Sequence, residues 1–408
     1  MSLKRVTLIH GRLYRDGDPA EALWQIEPDG AVVMDDGVIT RVGPSRHVMR
    51  QETDLGTVID VDGRAVIPGL IDCHTHVPFA GWRVDEYEAR LRGQSYEAIA
   101  RKKGGIVRSA RQWQEATDAE ILAMARRLAQ EALLWGTTAM EMKSGYGLSV
   151  DQELRALRLI RRLAAELPQH ISATGLFFHA VPPETAPDDW IRTVREVLLP
   201  AALAEGLVSA VDAFIERTAF SVTAVAQAFE ALPASLPIRL HTNQFSRQGG
   251  IELAVRLSAR AVDHLEYLEP DEIEILARHG IAAVLMPGAA FYTRQPYAPA
   301  RALLDRGVRV ALATDLNPGT SPIGNLPTVM AMAVNAMAMS PDEALAGVTR
   351  QAAYVLGIQD THGSIEPGRR GDLVVLDADT VAMIPYRLGH NPVDRVIVGG
   401  RPVTPKTP

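Results

Sequence analysis

A chain of 408 residues, 47% hydrophobic and 22% charged, has the makeup of an ordinary soluble globular protein with a sizeable core. Its formal net charge of −7, with no basic cluster, argues against a nucleic-acid or anionic-membrane partner. Cys73 is the sole cysteine, which excludes an intrachain disulfide, and no run of about 18 apolar residues is present to span a bilayer.

The N-terminus, Met1-Ser2-Leu3-Lys4-Arg5, leads into a short alternating segment and not into an apolar stretch with a cleavage site, so the expected compartment is the cytoplasm. Residues 1–64 read as short strands: Val6-Thr7-Leu8-Ile9, Ala31-Val32-Val33-Met34, Val38-Ile39-Thr40-Arg41-Val42 and Val58-Ile59-Asp60-Val61. Asp35-Asp36-Gly37 and Asp62-Gly63 are the turns between them. Residues 367–408 repeat this character in Gly371-Asp372-Leu373-Val374-Val375-Leu376 and Arg395-Val396-Ile397-Val398. Neither end alone has enough strands for a stable sheet, so the two are expected to pair into one small β-sandwich.

Between them, over residues 65–366, apolar strand-like runs alternate with helical stretches, the pattern of a parallel α/β sheet. The expected strands are 65–72, 137–143, 171–178, 209–215, 237–242, 260–264, 281–286 and 308–314. A helix is expected over 118–135, with Ile121, Leu122, Ala125, Leu128 and Ala132 at helical spacing. Eight βα units fit a (β/α)₈ barrel, whose active site lies at the C-terminal ends of the strands. The link over 77–136 is longer than a crossover needs and is expected to supply a lid or substrate loop.

Polar residues fall on that count in a consistent way. His74 and His76 follow the first strand, at i and i+2, where extended side chains share a face and reach one metal ion. His179 follows the third strand, His241 ends the fifth, His264 ends the sixth and Asp315 ends the eighth. His10, His47, His170, His279, His362 and His390 read as ordinary polar positions. Three histidines with an aspartate suit zinc or ferrous iron, with a position left for water. Such an ion lowers the pKa of bound water from about 15.7 toward 7. Asp315 is placed to touch the ion and accept the water proton, and a protonated His264 to polarise a carbonyl or C=N bond. The chemistry read from these residues is metal-assisted hydrolysis of a C–N bond.

With these residues in place, the chain resembles the amidohydrolase superfamily over nearly its whole length. The likeness is carried by Asp72-Cys73-His74-Thr75-His76, Phe79-Ala80-Gly81-Trp82-Arg83, Gly104-Gly105-Ile106 and Gly136-Thr137-Thr138. It continues in Glu141-Met142-Lys143-Ser144-Gly145-Tyr146-Gly147-Leu148, His179-Ala180-Val181-Pro182, Ala261-Val262-Asp263-His264-Leu265-Glu266 and Thr314-Asp315-Leu316-Asn317-Pro318-Gly319-Thr320. The His-x-His is generic to the superfamily, whereas Lys-Ser-Gly-Tyr-Gly-Leu and Asp-x-Asn-Pro-Gly are far more specific. What the resemblance implies is hydrolytic ring opening of 4-imidazolone-5-propanoate to N-formimino-L-glutamate, a step of histidine degradation. It also implies His74, His76, His241 and Asp315 as ligands of one divalent ion per subunit, zinc or iron, and a homodimer.

By the same resemblance, Arg83, Tyr146 and His179 hold the substrate, and Asn317, Gly319 and Thr320 form a loop that binds its formiminoglutamate part. A propanoate tail suits a guanidinium fork and a hydroxyl donor. Without the resemblance, Arg83 reads equally as a surface arginine and Tyr146 as a turn or core tyrosine. Gln244 stands where some relatives carry Glu; an amide cannot be a general base, so Gln244 is expected to orient water or substrate. Glu216 closes the fourth strand, and is expected to be structural or to support the site from behind, with a bridge to a second ion as the alternative. A second reading on the same scaffold is a deaminase or other cyclic-amide hydrolase. A third is a non-catalytic relative kept for assembly, against which stand the four retained ligand positions.

Overall fold

The computed structural model describes residues 5–17, 22–94, 98–99, 103–229 and 232–403. Residues 1–4, read above for a targeting signal, lie outside the described residues, as do two short stretches (95–97 and 100–102) of the long link. No helix among the described residues is long and apolar enough to cross a membrane.

The chain begins with β1 (Val6–Asp16), β2 (Trp24–Asp35), β3 (Val38–Pro44), β4 (Thr57–Asp60) and β5 (Ala65–Pro68). The β2–β3 hairpin turns on Asp36 and Gly37, both at positive φ (47° and 85°), the conformation that a tight hairpin favours. Eight strands follow: β6 (Leu70–Asp72), β7 (Thr137–Lys143), β8 (His170–Phe178), β9 (Ala210–Phe214), β10 (Ile238–Thr242), β11 (Ala261–His264), β12 (Ala282–Leu285) and β13 (Val310–Leu312). They pair in chain order from β6 to β13, each neighbour parallel. β14 (Leu373–Leu376), β15 (Val393–Val398) and β16 (Arg401–Val403) complete the chain. These last strands join the first five in one sheet, ordered β16-β15-β14-β5-β1-β2-β3 with β4 beside β1. The two chain ends therefore meet, and Leu8, Leu13, Val32, Met34, Ile39, Leu373, Val375 and Ile397 form their shared core.

One expected strand divides. Residues 65–72 are a continuous apolar run, yet Ala65–Pro68 pairs with β1 and β14, and only Leu70–Asp72 enters the barrel. Pro68 and Gly69 make the break. A Cβ on Gly69 would lie 2.1 Å from Thr138 Oγ1, so only glycine lets the chain pass from one sheet to the other there.

β6 and β13 close the barrel just past their ends. Thr75 bridges Leu316, Asp315 N donates to His74 O at 3.0 Å, and His76 N donates to Leu316 O at 2.9 Å. Asp72 adds a side-chain tie, accepting from Thr314 N at 3.1 Å and Thr314 Oγ1 at 2.6 Å. The helix expected over 118–135 runs Asp118–Leu134 and opens with a capping box between Thr117 and Glu120. Its residues Ile121, Leu122, Ala125, Leu128 and Ala132 are buried against the barrel. Two shorter helices of the long link, Val84–Leu91 and Ile106–Glu115, precede it.

Candidate metal centre and active site

The closure of β6 on β13 sets His74, His76 and Asp315 side by side. His74 and His76 flank the bridging Thr75 and point to one face, as extended backbone requires. Their Nε2 atoms lie 3.3 Å apart, and the Nε2 of His241, from β10, lies 3.4 Å from that of His76. Asp315 Oδ1 is 3.2 Å from His76 Nε2 and 3.6 Å from His74 Nε2. Three ring nitrogens and a carboxylate oxygen thus converge on one point from three strand ends.

Two further carboxylates orient the rings. Asp263 Oδ2 stands 2.6 Å from His74 Nδ1, and Asp212 Oδ1 stands 3.0 Å from His241 Nδ1. A carboxylate at Nδ1 fixes the proton there and turns the Nε2 lone pair inward, the arrangement that metal-binding histidines adopt. Burial presses the His74 and His76 imidazoles well below their ordinary pKa and that of His241 to about 3, so all three are neutral at pH 7. Asp315 Oδ1 has no hydrogen-bond donor, yet it is fully buried against those lone pairs. Burying acceptors face to face is costly unless a cation lies between them. The donor set, nitrogen and oxygen without sulfur, fits zinc or ferrous iron. His264 is also within reach, since one of its ring nitrogens lies within 4.8 Å of a ring nitrogen of His74 and of His241.

The cavity above this point is small, about 30 Å³. His76, His241, His264 and Asp315 form its floor, and Arg83, Tyr146, His179, Gln244, Asn317 and Thr320 its polar walls, with Ile106 and Phe214 supplying apolar surface. His264 (φ 85°), Leu265 (70°), Asn243 (55°) and Asp315 (53°) all have positive φ without being glycine. Such strained backbone concentrates where side chains must be aimed. Burial alone would depress the His264 pKa; the carboxylates of Glu266, 3.6 Å away, Asp315 and Asp263 together outweigh it and raise it. His179 is held by Gly145 O at 3.0 Å through Nδ1, which leaves Nε2 for the cavity, and its ring stacks on His76 at 5.0 Å. Tyr146 is buried beside both rings.

Arg83 is no surface arginine: it is 3% exposed. Its guanidinium is partly committed, with Nη1 donating to Gly105 O at 3.0 Å and Ser109 Oγ at 2.6 Å, and Nε 3.1 Å from Glu86 Oε2. The expected open fork is thus reduced to one edge. Gly319 lies against that edge, where a Cβ would sit 1.8 Å from Arg83 Nη2. Asn317 is bound up within its own loop: Nδ2 donates to Asp315 O at 2.7 Å and Oδ2 at 3.0 Å, and Oδ1 accepts from Gly319 N at 2.9 Å and Thr320 N at 2.7 Å. It shapes the loop and steadies Asp315.

Glu216 is turned to the backbone after β10. Its carboxylate accepts from Arg217 N, Phe245 N and Ser246 N, each at 3.0 Å, and from Ser246 Oγ. It belongs to none of the clusters able to hold an ion among the described residues. Reading strand ends missed Asp212, Asp263, Lys143 and Glu266. A signal was present, because Asp212 and Asp263 are lone acids inside otherwise apolar strands, where an unpaired charge is too costly to bury.

A closed parallel barrel that gathers imidazoles and a carboxylate at its C-terminal mouth defines the class of metal-dependent barrel hydrolases. The family model described as "Amidohydrolase family" matches residues 65–403. The imidazolonepropionase of Paracoccus denitrificans (strain Pd 1222) is 46% identical over 376 residues, covering 91% of this chain and 93% of that protein. That of Pseudomonas aeruginosa (strain UCBPP-PA14) is 44% identical, covering 92% of this chain and 94% of its own. The crystal structure of guanine deaminase from Bradyrhizobium japonicum has the same fold, with a TM-score of 0.75 at 17% identity, covering 99% of this chain and 100% of that one. The chain belongs to the amidohydrolase family and, within it, to the imidazolonepropionases.

Proposed function

We propose that this protein hydrolyses the ring of 4-imidazolone-5-propanoate to N-formimino-L-glutamate in histidine degradation. The observation that carries the reading is the convergence of His74, His76, His241 and Asp315 under a cavity with a buried guanidinium, Arg83, in its wall. Relatives identical at 46% and 44% over more than nine-tenths of the chain support the choice of substrate. In this reading the four residues hold one zinc or ferrous ion per subunit, which when bound supplies Lewis acidity and makes hydroxide available from water near pH 7.

The residues divide the remaining work. Asp315, held by Asn317, takes the proton of the attacking water. The water oxygen bonds to the ring carbonyl carbon, the adjacent C–N bond breaks, and the departing ring nitrogen receives that proton. His264, cationic beside Glu266, donates a hydrogen bond to the carbonyl oxygen as negative charge develops there. The free edge of Arg83, with Tyr146, binds the propanoate carboxylate, while His179 and Gln244 orient the ring. Asn317, Gly319 and Thr320 shape the wall that receives the formimino end. The family resemblance further implies a cytoplasmic homodimer, a state that sedimentation would test.

The decisive measurement is loss of the ultraviolet absorbance of imidazolonepropanoate on mixing with the purified enzyme. Turnover is expected. Absence of turnover, with release of ammonia from guanine or opening of a hydantoin ring instead, would overturn the assignment in favour of a deaminase or another cyclic-amide hydrolase.

A further inference from the structure

Beneath the metal-binding histidines the barrel is filled with charge. Lys143, the last residue of β7, is wholly buried, with Nζ 2.6 Å from Asp212 Oδ2 and 2.8 Å from Glu141 Oε2. Glu141 also takes Arg239, which reaches Thr174 Oγ1 at 2.6 Å and Cys73 O, just before His74, at 2.9 Å. The two cations and two carboxylates compensate one another, which is what makes their burial tolerable.

The two carboxylates that orient the ligand rings are supported differently. Asp263 grips His74 with Oδ2 while its Oδ1 has no hydrogen-bond partner. Asp212 is braced at both ends, Oδ1 on His241 and on Ala213 N, which donates to it at 2.7 Å, and Oδ2 on Lys143. A carboxylate gripped on both oxygens cannot rotate, so the lysine fixes the point from which His241 is aimed. Without it, Asp212 and Glu141 would confront each other across the vacated ammonium position, and the Ala213 N–H alone would hold Asp212 toward the ring against that repulsion.

We infer that Lys143 is a positioning residue for the metal centre, setting through Asp212 the affinity with which His241 and its neighbours hold the ion. The inference rests on His241 being a ligand. Loss of an orienting partner of a ligand typically weakens metal binding about 10–100-fold.

The test is zinc affinity, measured by chelator competition on the full chain, beside the melting temperature of the metal-free protein. Lys143→Met paired with Glu141→Gln removes one charge of each sign and serves where Lys143→Met alone fails to fold. The expected result is zinc binding about 10–100-fold weaker in the pair, a similar loss in Asp212→Asn, and no additional loss when the three changes are combined. If the pair lowers only the melting temperature of the metal-free protein and leaves zinc affinity unchanged, while Asp212→Asn weakens it, Lys143 is structural and the inference falls. If Asp212→Asn and His241→Ala also leave zinc affinity unchanged, it is the ligand assignment of His241 that fails.

Discussion

The barrel mouth and the sheet made from the chain ends solve opposite problems with the same backbone. The mouth buries Asp72, Glu141, Lys143, Asp212, Arg239, Asp263 and Asp315 together with His74, His76, His179, His241 and His264. The core of the sheet is Val, Leu, Ile and Met, with Thr7 and Asp372 as its few buried polar residues. In the mouth, positive φ falls on His264, Leu265, Asn243 and Asp315; in the sheet it falls on the turn residues Asp36 and Asp62, and on His10 where the β1 register shifts. Strain in the sheet falls on two turns and one irregularity of β1, whereas in the mouth it falls on the cavity residues His264 and Asp315 and on Leu265 and Asn243, the chain neighbours of the cavity residues His264 and Gln244. The difference teaches that stability and chemistry are separable in this molecule, because residues aimed at a ligand are kept at some cost in stability that the rest of the fold covers.

That separation can be attacked from both sides. Stripping the ion with a chelator should abolish turnover entirely, lower the melting temperature, and be reversed by zinc or ferrous iron. Recovery with neither ion would remove the metal from the account. Asp315→Asn comes next: kcat/KM should fall on the order of 10³-fold, the size of a lost general base, while thermal unfolding of the metal-free protein in circular dichroism stays near the metal-free parent's. Leu13→Ala in the chain-end sheet should do the reverse, lowering stability to urea by about 2–5 kcal/mol with kcat unchanged. A large fall in kcat there would show the two regions to be coupled. Arg83→Ala should raise KM about 10–100-fold, as for a charged hydrogen bond, and move kcat less. An unchanged KM would remove Arg83 from the substrate site.

Much of this contrast is legible in the sequence, for reasons tied to particular residues. A run such as 281–286 declares itself because a strand of a parallel barrel is buried on both faces and is mostly apolar. The histidines stand out because each sits where such a run stops. What is not legible is partnership across strands. Nothing within residues 65–72 says that Ala65–Pro68 joins β14, some 300 positions away, because Gly69 reveals its purpose only against Thr138. Likewise Asp212 and Lys143 carry no local sign that one braces the other, since the pair forms only when β7 and β9 are brought into one barrel. The division of the Arg83 guanidinium among Gly105, Ser109 and Glu86 depends on a loop whose path no periodicity announces.

Glu216 provides the smallest effect and the finest test, because it sits at the mouth yet behaves as the sheet does, satisfying backbone. Three main-chain N–H groups and a serine hydroxyl converge on its carboxylate. Glu216→Gln keeps the shape but replaces one acceptor oxygen with an amide donor that faces N–H groups. Loss of two such bonds should cost about 1–3 kcal/mol in stability. The segment those bonds pin, Phe245 and Ser246, directly follows Gln244, so KM should rise a few-fold while kcat holds. Metal content by elemental analysis should remain one ion per chain in both proteins. A fall from two ions to one on making Glu216→Gln would instead put a second cation at the end of β9, and Glu216 would then belong to the chemistry of the mouth.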